Sequence, residues 1–182
     1  MKRLLFILPI IAFAGLAAFL GFGLTQDPKQ LPSQLIDRPL PEFALPGIEA
    51  DGGDKLLQGF ASASFKGEPR LLNIWASWCA ACPQEHPVLE RIAAEGFPVY
   101  GIAWKDKPAD SREWLARYGN PYAGVAADEA GRTAIDLGVT GVPETFIVDK
   151  KGRVRFKQIG PISPEVWEGQ IKPLMQQLRA EA

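Results

Sequence analysis

The stretch RLLNIWASWCAACPQEHPVLERIAAEG, residues 70–96, decides the fold. Arg70 to Ser77 is a short apolar run of the kind buried in a parallel sheet. From Cys82 onward the spacing predicts a helix, with Val88, Leu89, Ile92 and Ala93 on one side and Gly96 as its stop. Cys79 and Cys82, the only two cysteines of the chain, sit at the junction. A helix N-terminus has unpaired N–H groups and a partial positive charge, and both stabilise a thiolate. Three residues on is nearly one helical turn, so Cys82 shares the face of Cys79. The expected roles are Cys79 as exposed attacker and Cys82 as the more buried resolving thiol.

Working outward, PEFALPGI reads as a short strand and DGGD as a hairpin tip. FPVYGIAWK is a second buried strand, PADSREWLARYG a helix closed by glycine, PYAGVAAD a third strand and EAGRTAIDLG a short helix. TFIVDKKGRVRFKQIG reads as a hairpin around Lys150, Lys151 and Gly152. The last helix starts at Ser163 as N-cap, with Pro164 in its first position. Elements in this order imply an α/β sheet, mostly parallel with an antiparallel edge.

The ends of the chain add location. Leu4 to Leu24 is 21 residues without a charge, after Lys2 and Arg3. As a helix it spans about 30 Å, the hydrocarbon thickness of a bilayer. The run is longer than a cleaved signal's apolar region and lacks a small-residue cleavage site, so it reads as an uncleaved anchor. The positive flank keeps the N-terminus cytoplasmic and places the remainder outside. Residues 25–38 form a proline-bearing linker and 39–182 the folded domain. Beyond the anchor the chain has 18 basic and 21 acidic residues, net −3, with no basic excess to attract nucleic acid. Disulfides form in such a compartment.

Three other uses of a CxxC pair fit less well. Zinc needs four ligands, and there is neither a second pair nor more than one histidine. Haem attachment needs a histidine after the second cysteine, where Pro83 stands. A purely structural disulfide this short constrains the unfolded chain little. Redox activity remains.

WASWCAACPQEHPVL resembles the active-site segment of thioredoxin-like proteins. GVTGVPETFIVDKKGRVRFKQIGPISPEVW, with GNPY and DLGV before it, resembles the CcmG/DsbE proteins, membrane-anchored periplasmic thiol–disulfide proteins of cytochrome c maturation. The resemblance runs from about Leu40 to Leu178. It implies a thioredoxin-like fold, a central mixed sheet flanked by helices, with an N-terminal extension and a single transmembrane helix. It implies that Pro143 is a cis-proline against the disulfide, leaving the Val142 backbone to pair with substrate. It matches Glu85 and Glu144 to acidic residues near the active site; a carboxyl there raises a thiol pKa or moves the resolving proton. Asn73 stands where thioredoxin has a buried aspartate, a departure that suggests the relay has moved to Glu85. Pro87 matches a helix kink and is read as structural. Trp78 is expected to shield Cys79 and to meet substrate, Trp75 to lie in the core. His86, lone on its helix, reads as a surface or hydrogen-bonded residue.

Ala80 and Ala81 bring no charge to the dithiol, which favours a modest thiol pKa shift and a reducing pair. The favoured function is a periplasmic protein disulfide reductase acting on apocytochrome c, or on a cytochrome c maturation thiol protein, before haem attachment. No cofactor or metal is expected. The resemblance supplies the electron donor, a transmembrane thiol reductant of the DsbD/CcdA type, and the location in a bacterial inner membrane. The rivals are a general disulfide oxidase of the same fold, a Cu(I) metallochaperone using the two soft thiolates, and a docking module in which redox activity is secondary.

Overall fold

The computed structural model describes residues 2–24, 34–48 and 57–181. The chain divides into two units, Met1–Pro32 and Ser33–Ala182. The first contains helix α1 (Lys2–Leu24), with Pro9 inside it. Its side chains are described for residues 8–22, where every large apolar side chain is more than half exposed. Among the described residues no helix is long and apolar enough to cross a membrane. The DGGD turn and linker residues 25–33 lie outside the described residues.

In the second unit, residues 34–38 belong to the domain and not to a linker. Asp37 N–H donates to Val154 O at 2.7 Å, and Val154 N–H donates to Arg38 O at 2.9 Å. A two-stranded ribbon follows, β1 (Ala44–Leu45) against β2 (Phe60–Ala61), with a 3₁₀ turn at Ser62–Phe65. The main body runs β3 (Arg70–Trp75), α2 (Cys82–Ala94), β4 (Val99–Trp104), α3 (Pro108–Tyr118), β5 (Gly124–Asp128), α4 (Arg132–Asp136), β6 (Glu144–Val148) and β7 (Val154–Ile159). It closes with α5 (Pro164–Val166), a π turn at Trp167–Ile171, and α6 (Lys172–Ala180). Ser163 Oγ accepts from Val166 N–H at 3.3 Å, the expected cap.

The five main strands lie in the order β5-β4-β3-β6-β7. β3 is parallel to β4, and β4 to β5; β6 is antiparallel to both β3 and β7. The antiparallel part therefore reaches the centre of the sheet, further than element order alone implied. The reason is length. α4 has five residues, about 7.5 Å of helix. That is too short to carry the chain back along a strand, so β6 starts at the end of the sheet where β5 finishes.

Side chains alternate along β3. Leu71 and Trp75 join the cluster under α2 and α6, with Leu89, Ile92, Trp167 and Met175. Leu72 and Ile74 join the cluster on the opposite face, with Phe65, Leu137 and Phe146. Asn73 therefore faces α2, the helix that carries the dithiol. Opposite it in register is Gly101 of β4. A Cβ there would lie 2.8 Å from Trp75 Nε1 and 3.0 Å from the Tyr122 ring, so the absent side chain makes room for the stacked Trp75–Tyr122 pair, 5.8 Å apart.

Gly101→Ala overpacks this contact and is expected to cost roughly 1–3 kcal/mol. Urea unfolding checks it; an unchanged midpoint would mean that the aromatic pair gives way freely.

Candidate functional site

β3 ends at Trp75, and the chain turns through Ala76–Ala81 into α2 at Cys82. Cys79 and Cys82 form a disulfide with Cα atoms 5.5 Å apart. The Cys82 N–H donates to Cys79 Sγ at 3.1 Å. That is the helix-terminus donor that favours negative charge on Cys79 once the bond is reduced. Cys79 was expected to be exposed, yet both cysteines are buried, at 5% and 2%. The asymmetry lies in the surroundings. Cys79, and not Cys82, lines an open groove of about 520 Å³ between Trp78 and α3.

Trp78 is 55% exposed. Its Nε1–H donates to Lys105 O at 3.1 Å, which pins the ring beside the groove. Trp75 is fully buried, tilted against Trp114 at 4.8 Å.

The Val142–Pro143 bond is cis. The β3–β6 register pairs Ile74 with Glu144, so Pro143 lies level with Trp75, at the mouth of the loop that carries Cys79. Among the described residues the Val142 backbone makes no hydrogen bond, while Pro143 O accepts from Gly160 N–H. Glu144 differs from the substrate-binding role expected of it. Its side chain is fully buried, and its carboxylate accepts from Thr140 N–H at 3.0 Å and Thr140 Oγ at 2.6 Å and pairs with Lys157 at 2.8 Å. A carboxylate so engaged has no surface left to offer a substrate.

Glu85 is the other buried carboxyl, 1% exposed and one turn beyond Cys82. Oε1 accepts from Asn73 Nδ2 at 2.9 Å and Oε2 from Ile162 N–H at 3.0 Å. Asn73 also donates to Thr145 Oγ at 3.0 Å and accepts from Tyr122 OH at 2.8 Å. Burial raises the Glu85 pKa to about 7, against the opposing pull of the Ile162 and Asn73 hydrogen bonds. The Tyr122 hydroxyl is pushed well above its usual range, chiefly by burial. The position that thioredoxin fills with an aspartate thus holds a neutral amide, with the titratable group one layer over on α2.

His86 is buried, and its Nε2 meets Gly119 O at 3.0 Å. Its ring edge stands against Trp114 at 4.8 Å. Burial lowers its pKa, against the opposing pull of the Gly119 hydrogen bond and of Glu90. Pro87 lies inside α2. Among the described residues no three metal-ligating side chains come together.

The sequence reading passed over Asp106, in the loop after β4. Its carboxylate accepts from Ser77 N–H, Ser77 Oγ and Ser111 Oγ at 2.6–2.8 Å. A signal was available: the C-terminal ends of parallel strands are where α/β sheets carry their sites, and Asp106 lies just past such an end.

A buried disulfide at the head of a helix, on this strand order, defines a thioredoxin-like thiol–disulfide oxidoreductase. The family model described as Redoxin matches residues 36–172. Within that class the chain belongs to the DsbE, or CcmG, family of thiol:disulfide interchange proteins. It is 43% identical to DsbE of Pseudomonas aeruginosa, over 100% of this chain and 98% of the relative. It is 40% identical to DsbE of Escherichia coli, over 100% and 99%. The solved structure of MTB DsbF, in mixed oxidised and reduced forms, superposes with a TM-score of 0.61 at 27% identity, covering 75% of this chain and 94% of that one.

The raised Glu85 pKa has a definite consequence for stability. The folded state holds this proton to higher pH than the unfolded chain, so the contribution favours folding at low pH and fades as pH rises from about 4.5 to about 7. In the oxidised protein, stability relative to Glu85→Gln should therefore fall across that window and level off above it. Parallel pH profiles of the two proteins in urea unfolding would contradict this.

Proposed function

We propose that this protein is a membrane-anchored periplasmic reductant that supplies electrons to disulfides of apocytochrome c, or of a maturation thiol protein, before haem attachment. The observation that carries the reading is the asymmetry of the dithiol: Cys79 lines the groove and its Sγ accepts a helix N–H, while Cys82 is one helical turn before the buried carboxyl of Glu85 on the same helix.

In the reduced protein the Cys79 thiolate attacks one sulfur of the substrate disulfide. A mixed disulfide forms and the first substrate thiolate leaves. Cys82 loses its proton to Glu85 and attacks Cys79 Sγ. The second substrate thiolate leaves, takes up a proton, and the Cys79–Cys82 bond is made. Two electrons have passed from the dithiol to the substrate. A carboxyl that titrates near 7 can take a proton and release it at ambient pH. Trp78 flanks the incoming chain, and the unpaired Val142 backbone beside Pro143 offers it strand-like hydrogen bonds. A reductant in an oxidising compartment must be recharged, and a transmembrane thiol reductant of the DsbD/CcdA type is the donor.

The anchor reading rests on the apolar run Leu4–Leu24 behind Lys2 and Arg3 and on the exposure of its large side chains. An apolar surface of that extent is normally covered by lipid or by a partner. It assigns the chain to a bacterial inner membrane, with residues 33–182 in the periplasm.

Cys82→Ser should halt the exchange at the mixed disulfide. Incubated reduced with a CxxCH peptide disulfide, it should form a covalent adduct that dithiothreitol releases, whereas Cys79→Ser forms none. Adduct formation through Cys82 in the Cys79→Ser protein would reverse the assigned roles.

A further inference from the structure

We infer that Asp106 is a positioning residue that fixes the width of the substrate groove by tying its two walls together. The inference rests on the thiol–disulfide reading of Cys79 and adds to it the device that shapes the surface next to the attacking sulfur.

The groove has one wall from the active-site loop and the start of α2, with Trp78, Cys79 and Pro83, and one from α3, with Asp110, Trp114 and Tyr118. The walls are separate elements, joined through β4 and its following loop. Asp106 stands between them. One carboxylate oxygen, Oδ2, accepts from the Ser77 N–H at 2.6 Å and from Ser111 Oγ at 2.8 Å. The other accepts from Ser77 Oγ at 2.7 Å. Ser77 is two residues before Cys79, and Ser111 is in the first turn of α3, next to Asp110. A single side chain thus holds a backbone amide of one wall and a hydroxyl of the other.

Two further observations mark the bridge as a built feature. Asp106 is 5% exposed and Ser111 fully buried, so the bond to Ser111 is shielded from competing water and the two to Ser77 are partly so, which makes them costly to leave unmade. Lys105, immediately before, adopts φ 48°, a left-handed conformation uncommon for a side-chain-bearing residue. It turns the loop so that Lys105 O reaches Trp78 Nε1 while Asp106 reaches Ser77. The same two residues therefore hold both Trp78 and the backbone before Cys79. The predicted consequence is selective. A polypeptide disulfide, which must lie in the groove, depends on the bridge. A small disulfide that needs only the sulfur does not.

The test compares the reduced full-length chain and its variants in two reactions: with a peptide disulfide that spans several residues on either side of its cysteine, and with oxidised glutathione. Asp106→Ala should slow the peptide reaction about tenfold through weaker half-saturation, with the glutathione reaction changed by less than about twofold. Asp106→Asn should recover most of the peptide rate, because an amide oxygen can still accept from Ser77 N–H and Ser111 Oγ while its NH₂ donates to Ser77 Oγ. Ser111→Ala, which cuts only the link to α3, should show a smaller loss confined to the peptide and covers the case in which Asp106→Ala does not fold. Equal slowing of both reactions, an unchanged peptide rate in Ser111→Ala, or no recovery in Asp106→Asn would overturn the inference. If the wild-type chain reacts with neither disulfide, the thiol–disulfide reading itself has failed, a result distinct from any of these.

Discussion

Strand β3 is hydrogen-bonded on both edges, parallel to β4 on one side and antiparallel to β6 on the other, and the rest of the site depends on that double pairing. The parallel edge brings the end of β4, and with it Lys105 and Asp106, beside the loop that leaves β3. The antiparallel edge, in the register Ile74 to Glu144, brings Pro143 and Val142 to the same place from the other direction. A slip of one residue in either ladder would turn every side chain of the strand to the wrong face. It would also take the asparagine away from Glu85.

The second constraint is electrostatic. A carboxyl buried to 1% is costly to ionise unless it is well hydrogen-bonded. Here Asn73 and Ile162 supply two donors, enough to bring the group to about 7 but not down to an ordinary carboxylate value. Tyr122 OH donates to the oxygen of the Asn73 amide, which leaves the amide nitrogen facing Glu85. Glu144, equally buried, is paired with Lys157, which neutralises its charge inside the domain. The two buried glutamates therefore differ in their partners: Glu144 has a cation beside it, and Glu85 has only neutral hydrogen-bond donors.

Much of this was legible in the residues. The apolar run ending in WCAAC places a thiol pair at a strand–helix junction by local pattern alone, and the final helix declares its start through Ser163 and Pro164. The cis bond before Pro143 was legible only through family resemblance, since a Val-Pro step before a strand is otherwise an ordinary turn. The partners of Glu85 were not legible: Ile162 is 77 residues away, and only the closed fold brings its N–H to α2. The buried state of His86 was hidden for the same reason, because the aromatic rings around it come from α3 and the segment after it. The role of Asp106 was not legible, because its three donor groups belong to two serines, Ser77 and Ser111, in elements on either side of β4. The end of the linker was misread, because Asp37 and Arg38 are hydrogen-bonded to Val154 of β7, a contact that no local pattern reveals.

The direction of electron flow is the central claim, and the reduction potential of the Cys79–Cys82 pair tests it most directly. Equilibrated against a dithiol buffer, a reductant should lie at or below roughly −180 mV, the region of protein disulfide isomerase or lower. A value near −120 mV, that of a strong oxidant, would mean that electrons flow into this protein and would contradict its assignment as a reductant.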